Sequence, residues 1–171
     1  MKKLYLITFF ALSLTSCTIR FERVPKNTLS EFPKEICGKY LFTNRQESDS
    51  TYITITPQTI IFSDNHILRG GSLSDSIKLA KGPKYYYLCQ ADSLKNRYVW
   101  DVYPIKFSGK KLHLYALDAE YYKKSIKKYF TPIAGFDNLY EMNEEKLDKF
   151  CSKKLKFKNA LKLIRVDNLD K

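Results

Sequence analysis

The chain has few of the residues from which metal and redox centres are usually built. Its 171 residues include two histidines, His66 and His113, and four cysteines. Neither histidine stands in a metal-binding spacing, such as two histidines four residues apart on a helix with a glutamate between them. No cysteine lies two or three residues from another, which excludes the spacing of zinc ribbons and of CxxC redox motifs. The sequence therefore predicts no metal site.

Motifs that depend on glycine are also missing, since the chain has only six glycines. Gly70 and Gly71 lack the further glycines and the Lys-Ser or Lys-Thr pair of a phosphate-binding loop. The serines of residues 72–76 do not stand in the Gly-x-Ser-x-Gly turn that presents a nucleophile. The acidic pair Glu144 and Glu145 is explained by the start of a helix before it requires a role in acid–base catalysis. We therefore expect a protein that is not an enzyme and that carries no cofactor.

The apolar segment near the N-terminus is too short to cross a membrane as a helix. Residues 4–14 form an uncharged run of 11 residues, whereas a helix needs about 20 residues to span the hydrocarbon core. The run follows Lys2 and Lys3 and ends in the small residues Thr15 and Ser16, a pattern typical of a cleaved secretory signal peptide. We therefore expect an exported protein.

The end of this segment, Leu14, Thr15, Ser16 and Cys17, resembles the lipobox of bacterial lipoprotein signal peptides. The resemblance covers only the first 17 residues. It implies that the Cys17 thiol is alkylated with diacylglycerol, that residues 1–16 are removed, and that the new amino terminus is acylated. Two or three acyl chains hold a protein on a bilayer durably, where a single chain does not. The membrane is then the first expected partner, and an ordinary secretory signal with a chance cysteine is the alternative.

The charged residues predict where in the cell envelope the protein lies and which further partners it binds. No acidic run follows Cys17, which favours a periplasm-facing leaflet over the cell surface. The chain carries a net charge of +12, which becomes +10 without Lys2 and Lys3. An exported protein meets few nucleic acids, so we expect no nucleic-acid partner. Anionic lipid headgroups, lipopolysaccharide-type phosphates or an acidic protein suit the same basic surface, and a surface that only keeps the protein soluble is the alternative.

Three cysteines lie beyond the candidate lipid site: Cys37, Cys89 and Cys151. An odd number allows at most one internal disulfide and leaves one thiol over. An exported chain can keep such a bridge oxidised. The sequence does not choose among the three pairings, and buried free thiols are the alternative.

The rest of the chain predicts a mainly β fold. Thirteen tyrosines and eleven phenylalanines favour the half-buried surfaces of strands. Period-two alternation and aromatic runs, bounded by turn residues, predict strands at residues 38–42, 52–56, 60–62, 85–89, 97–107, 112–117 and 161–164, and residues 66–68 are a candidate for a further short strand after the break at residues 63–65. Successive hairpins of this kind predict an antiparallel meander of about eight or nine strands that forms a barrel or half-barrel, with one or two late helices.

The chain divides into an N-terminal tether and one domain. Residues 17–34 are expected to form the lipidated cysteine, which the lipobox resemblance implies, and a flexible tether. Residues 18–34 contain two prolines, scattered charge and no sustained period, which predicts a coil reaching about 25 Å. Residues 35–171 are expected to form a single β-rich domain. Within it, Pro104 lacks a ladder donor and predicts an edge strand or a bulge. Gly70 and Gly71 predict an interruption between strands.

Two late segments have helical patterns. Asp118 is a candidate N-cap for a segment in which Tyr122 and Ile126 share one face while lysines occupy the other. Asn143 is a candidate N-cap for a second segment, which has glutamates in its first turn and lysines in its last, complementing the helix dipole. In this second helix Phe150 belongs to an apolar stripe that is expected to pack on the sheet.

The first predicted strand contains Gly38, Lys39 and Tyr40, a Gly-x-aromatic pattern. This pattern and the strand layout resemble lipocalin-like bacterial lipoproteins, which implies a barrel that binds a ligand. Four aromatic residues are candidate wall residues for an apolar or amphipathic ligand: Tyr85, Tyr87, Trp100 and Tyr103. The alternative is that these side chains simply fill the core.

A protein partner is the other candidate for binding. An anchored domain with a basic, tyrosine-rich surface is suited to dock a second envelope protein. Tyrosine is enriched at interface centres and lysine is depleted there. In this hypothesis Tyr121, Tyr122 and Tyr129 contribute more than the lysines around them.

Overall fold

The computed structural model describes residues 18–42, 52–64, 67–156 and 159–166. The predicted signal peptide at residues 1–16, the candidate lipid-bearing Cys17 and His66 lie outside these residues. The described chain forms twelve strands and two helices: β1 Arg20–Phe21, β2 Thr28–Leu29, β3 Gly38–Phe42, β4 Tyr52–Ile55, β5 Thr59–Asp64, β6 Ile67–Ser72, β7 Ile77–Lys81, β8 Tyr86–Leu94, β9 Arg97–Ser108, β10 Lys111–Leu114, α1 Ala119–Ile126, β11 Leu139–Tyr140, α2 Glu144–Lys154 and β12 Leu161–Arg165.

Ten of the strands form an antiparallel sheet that curls into a half-barrel, as the strand pattern predicts. Their order is β2-β7-β8-β9-β10-β12-β3-β4-β5-β6. β6 is at one end of this order and β7 is next to the other end, yet only residues 73–76 connect them. The two ends of the sheet must therefore lie close together. Backbone hydrogen bonds from Leu73 N–H to Gln58 O and from Ser74 N–H to Ile77 O, both 2.8 Å, hold this connection.

The strands missing from the sequence prediction are short or weakly patterned. β1, β2 and β11 have two residues each, too few to show any alternation. β7 was missed although it has five residues, because two of its residues are lysines and both of its faces are used. The nine strands of four or more residues agree with the expected eight or nine.

The inside of the half-barrel is packed with apolar side chains, which we call the inner core. Eight strands contribute to it, through Tyr40, Ile53, Ile55, Ile60, Leu79, Leu88, Ile105, Leu112, Leu114 and Leu163. Phe32 and Ile36, from the connection between β2 and β3, complete the cluster and are at most 1% exposed. Phe32 N–H donates to Pro57 O at 2.7 Å, and the Tyr40 hydroxyl donates to Ile36 O at 2.9 Å.

A second apolar cluster, the outer core, lies between the other face of β7–β9 and the two helices. Its members include Phe21, Tyr87, Val102, Ile126, Phe130, Leu147, Phe150 and Cys151. Phe150 is central, since its ring centroid lies 5.2 Å from that of Tyr122, 5.3 Å from that of Tyr129 and 5.5 Å from that of Phe130. Edge-to-face contacts of this kind add stability beyond the burial of area.

Both predicted helix caps are confirmed. The Asp118 carboxylate accepts the Tyr121 N–H at 2.9 Å, and the Asn143 side chain accepts the Lys146 N–H at 2.9 Å. Phe150 is fully buried, as its apolar stripe predicts. Among the described residues, no helix combines the length and the apolar character that a membrane crossing requires.

The prediction of a flexible tether is wrong for residues 18–34, which pack onto the domain. Ile19 and Phe21 are at most 1% exposed. Arg20 and Phe21 pair with Asp101 and Trp100 of β9 on one side and with β11 on the other. The segment shows no sequence period because it contacts β9, β7 and the inner core in turn, over a few residues each.

The expected edge or bulge at Pro104 is also corrected, because β9 lies inside the sheet. Pro104 is paired with Tyr87 of β8, and its carbonyl accepts the Tyr115 N–H at 3.0 Å on the opposite side. The nitrogen of a strand residue points to the same side as its carbonyl. The Pro104 nitrogen, which cannot donate, therefore points away from β8. It faces the place where β10 ends and β1 begins to pair with β9, so no hydrogen bond between β8 and β9 is lost.

Gly70 and Gly71 do not interrupt the strands but lie within β6. Gly70 has a φ of +153°, and a Cβ there would lie 2.0 Å from the carbonyl oxygen of Ile60. A Cβ on Gly71 would lie 2.6 Å from Cδ1 of Ile77. The glycines permit close contact with β5 and with the start of β7, rather than ending a strand.

Candidate functional site

The four aromatic residues predicted to form one cavity wall lie on two faces of the sheet. Tyr85 and Tyr87 belong to the outer core, and Trp100 packs against it. Tyr103 instead packs against the inner core, because residues three apart on a strand point to opposite faces. The structure therefore does not bring the four rings into a common wall. Tyr85 and Tyr87 stack side by side, with centroids 6.4 Å apart.

Tyr87 also contributes to a surface groove of about 530 Å³ between α2 and the β7–β8 turn. The groove is lined by Pro25, Asn27, Lys81, Gly82, Pro83, Lys84, Tyr87, Glu144, Glu145, Asp148, Lys149, Ser152 and Lys153. Because Tyr87 is only 2% exposed, we place it at the floor. The volume of the groove is within the range of pockets that hold small ligands.

The helix side of the groove follows from the periodicity of α2. Glu144, Asp148 and Ser152 recur every four residues and therefore lie one above the other on a single face. Leu147 and Phe150 lie on another face of the helix, where they are buried in the outer core. The apolar stripe fixes the rotation of the helix and thereby presents its polar side chains to the groove.

The sheet side of the groove is held by backbone hydrogen bonds and by a glycine. Lys81 N–H donates to Asn27 O at 2.9 Å, and Gly82 N–H donates to Tyr85 O at 2.8 Å. A Cβ on Gly82 would lie 2.6 Å from Cε2 of the Tyr87 ring. The absence of a side chain at this position therefore allows the ring to lie where it does.

At the floor of the groove, the Tyr87 hydroxyl donates to Oδ1 of Asp148 at 3.2 Å. Burial raises the pKa of Tyr87 well above its usual value, and the nearby Asp148 carboxylate adds to the rise. The phenol is thus a permanent hydrogen-bond donor. Asp148 accepts from it and keeps its second oxygen for other donors.

At the end of the groove, Glu144 is held by Arg23. Nη1 of Arg23 lies 2.9 Å from Oε1 of Glu144, and the Lys26 N–H donates to the same oxygen at 3.2 Å. Partial burial acts to raise the pKa of Glu144, but the hydrogen bonds from Arg23 and from the backbone outweigh it and lower the pKa. Glu144 therefore stays ionised and paired with Arg23.

The groove consequently combines apolar surface with an excess of positive charge. Pro25, Pro83 and the Tyr87 ring supply apolar atoms. Four lysines and three carboxylates line the groove. One of the carboxylates, Glu144, is neutralised by Arg23, which is not a lining residue. The combination suits a molecule with an apolar part and an anionic group.

A second charged cluster lies where β1 meets β9. Nε of Arg20 is 3.4 Å and the Thr18 hydroxyl is 2.8 Å from Oδ1 of Asp101, and Nη2 of Arg20 is 3.0 Å from Oδ2 of Asp92. Arg20 is 7% and Asp101 1% exposed. Burial raises the pKa of Asp101 against the opposing effect of Thr18 and Arg20. We assign the cluster to structure, since it joins the first strand to the centre of the sheet.

The three described cysteines are free thiols, so none of the three possible disulfides is present. Cys89 and Cys151 are fully buried, and burial raises the pKa of both thiols. A buried thiol with a raised pKa is unreactive. Their role is packing in the outer core.

Metal binding finds no support in the part of the chain that the structure describes. No group of three or more histidine, cysteine, aspartate or glutamate side chains is placed to hold an ion there. His113 is buried between Lys106 and Lys162 on neighbouring strands. Burial, with the charges of the nearby lysines, lowers the pKa of His113.

Two of the three tyrosines considered for a protein interface are core residues. Tyr122 is buried and Tyr129 is half-buried, and both contact Phe150. Tyr121 is 59% exposed. The hypothesis of a tyrosine-centred docking surface therefore retains one of its three anchors.

Sequence reasoning missed most of the groove and the partner of Asp101. The groove joins residues near position 25, near position 83 and near position 148, and no motif links them. Asp101 did carry a signal, because it interrupts an otherwise apolar face of β9. Arg20, its partner, lies in a segment that shows no periodic pattern.

Comparison with known proteins gives no relative from which a function could be transferred. No family model matches the chain, and no similar curated protein or solved structure was found. The functional argument therefore depends on the residues of this chain.

Proposed function

We propose that this protein is a bacterial envelope lipoprotein, anchored through acyl chains on Cys17, whose half-barrel domain is a non-catalytic binding module for an amphipathic ligand. The ligand binds in the groove between α2 and the β7–β8 turn. The observation that carries the proposal is the floor of that groove, where Tyr87 and Asp148 form a hydrogen-bonded pair beside apolar walls and lysines.

Support for the anchor comes from the order of residues at the N-terminus. A positive start, a short apolar run and small residues before Cys17 are what processing and acylation require. The domain then lies on a periplasm-facing leaflet, where membrane amphiphiles are within reach.

Support for an amphipathic ligand, rather than a wholly apolar one, comes from packing. The inner core is filled by Phe32, Ile36 and Tyr40, so the half-barrel interior at these residues is occupied by the protein itself. The groove has both apolar walls and ammonium groups. We therefore assign an anionic headgroup to the lysines and the apolar part to Pro25, Pro83 and Tyr87.

Acylation of Cys17 is tested by mass and by labelling. We expect the mature chain purified from membranes to begin at Cys17 with fatty acyl mass on that residue, and Cys17→Ser to abolish labelling with a radioactive fatty acid. Cys37→Ser is the matched control and retains the label. A mature chain that begins elsewhere, or that carries no acyl mass, contradicts the anchor.

Ligand binding is tested by calorimetric titration with a lysophosphatidylglycerol. Gly82→Ala should lower the affinity about tenfold, because the added methyl pushes the Tyr87 ring into the groove at an overpacking cost of about 1–3 kcal/mol. Gly135→Ala is the control for backbone strain, because its φ of +82° disfavours an alanine while the residue is not part of the groove, so its affinity should stay at the native value. Equal affinities for the two variants, or no binding by the native protein, would refute the assignment of the groove.

A further inference from the structure

Thr18, the residue directly after Cys17, already belongs to the folded domain. Thr18 forms an antiparallel bridge with Asp118, and its hydroxyl donates to Asp101 at 2.8 Å. The next backbone amides are also held, since Ile19 N–H donates to Leu117 O and Arg20 N–H donates to Asn138 O, both at 2.8 Å. Thr18 is therefore fixed on the domain by its own hydroxyl and by the backbone amides of the two residues that follow it.

This position leaves no tether between an anchor on Cys17 and the domain. Consecutive Cα atoms are about 3.8 Å apart, whereas a flexible segment of residues 18–34 would allow about 25 Å. An acylated Cys17 therefore holds the surface around Thr18 and Asp118 directly against the bilayer. The membrane-facing side of the domain is then determined by the fold.

The element that begins at this point is α1. It starts at Ala119, directly after Asp118, and its eight residues extend about 12 Å at the rise of a helix. Its buried face contacts the outer core through Ala119, Tyr122 and Ile126. Its exposed side chains are Glu120, Tyr121, Lys123, Lys124 and, after the last turn, Lys127 and Lys128.

The charge of this exposed face is positive. Glu120 pairs with Lys123 at 3.6 Å, and the Asp118 carboxylate caps the helix. Lys124, Lys127 and Lys128 add three further positive charges. Tyr121 is a large aromatic side chain at 59% exposure, and tyrosine is favoured at the level of lipid headgroups.

We propose that the exposed face of α1 is a docking surface for anionic lipid headgroups, which orients the anchored domain on the membrane. The proposal rests on the proposed anchor at Cys17 and adds which surface faces the bilayer. Each lysine near an anionic surface favours the docked orientation by about fivefold. Tyr121 inserts at the headgroup level beside the acyl chains.

The test uses the mature lipidated protein in vesicles of phosphatidylcholine with or without phosphatidylglycerol. An amine-reactive reagent labels exposed lysines, and mass spectrometry reads each position. We expect Lys123, Lys124, Lys127 and Lys128 to be labelled several times more slowly in the anionic vesicles than in neutral ones. Lys110, in the β9–β10 turn, and Lys111, the first residue of β10, are exposed at the end of β10 that is more distant along the chain from Asp118. Both should be labelled equally in the two kinds of vesicle.

A pair of variants with equal charge change provides the control. Lys127→Gln with Lys128→Gln should raise the labelling of Lys123 and Lys124 in anionic vesicles, because the docked orientation loses about fivefold for each lysine. Lys110→Gln with Lys111→Gln should leave that labelling unchanged. Equal protection of the turn and helix lysines, or equal effects of the two variants, would overturn the proposal.

The same spectra separate this proposal from the anchor. The N-terminal peptide reports acyl mass on Cys17 directly. Acyl mass together with unprotected α1 lysines refutes the docking surface and leaves the anchor standing. Protected α1 lysines on a chain without acyl mass support the docking surface and refute the anchor.

Discussion

Arg20→Met is expected to destabilise the protein by about 3–5 kcal/mol, the range found when one member of a buried ion pair is removed. Arg20 supplies the cation for Asp101, which is 1% exposed, and for Asp92. Among the described residues, no donor makes a hydrogen bond to Oδ2 of Asp101, so the carboxylate depends on the partners of Oδ1. The methionine preserves most of the side-chain volume, which isolates the loss of charge. Guanidinium unfolding of the solubilised protein measures the change.

Arg23→Met is the matched control, since it makes the same substitution three residues away. Arg23 pairs with Glu144 at 2.9 Å, but both side chains are about 40% exposed, and exposed pairs contribute about 0–1 kcal/mol. Adding Asp101→Asn to Arg20→Met should recover part of the loss, because the buried charge is then gone as well. Similar losses for Arg20→Met and Arg23→Met would show that the β1–β9 pair is not desolvated in solution.

The pH dependence follows from the raised pKa of Asp101. A carboxyl with a higher pKa in the folded state than in the unfolded state, where it is about 3.9, binds protons more tightly when folded. Ionisation of Asp101 therefore lowers the free energy of unfolding as the pH rises from its pKa in the unfolded state to its pKa in the folded state. Removing the Arg20 cation raises the pKa of Asp101 in the folded state further, because Arg20 favours the ionised carboxylate. The destabilisation by Arg20→Met should therefore be smaller at acid pH than at neutral pH.

The parts of the fold that the sequence predicted are those in which neighbouring residues decide the structure. The caps at Asp118 and Asn143 depend on one side chain and the backbone three residues later, so composition and spacing predict them. The long strand β9 and its hairpin with β10 were readable because alternation persists over many residues. The curl of the sheet followed from the same successive hairpins.

The parts that were missed depend on contacts between distant segments. The sequence predicts a tether at residues 18–34 because no period links Arg20, Phe21 and Phe32. Each is nevertheless buried in a different place: Arg20 against Asp101, Phe21 in the outer core and Phe32 in the inner core. The groove depends on Gly82, whose role becomes visible only when the Tyr87 ring lies against it. Neither relation leaves a local pattern, since each is set by tertiary packing.

Phe150→Ala should reduce the free energy of unfolding by about 3–5 kcal/mol, the usual cost of emptying a buried aromatic site. Phe150 is fully buried, and three rings lie within 5.5 Å of its centroid. Tyr122 belongs to α1, and Tyr129 and Phe130 follow α1 along the chain. One side chain of α2 therefore packs α2 against α1 and the segment after it. The loss is a large part of the 5–15 kcal/mol available to a domain. Guanidinium unfolding measures it.

Tyr121→Ala is the control for Phe150→Ala, because Tyr121 is also an aromatic residue in contact with Tyr122, at 4.7 Å between centroids, but is 59% exposed. Its loss should change stability by less than about 1 kcal/mol. Phe150→Leu should fall between the two, since it leaves a smaller cavity. If Phe150→Ala cost no more than Tyr121→Ala, the helices would not pack on the sheet through this ring. The groove, whose helix side is positioned by that packing, would then lack a fixed wall.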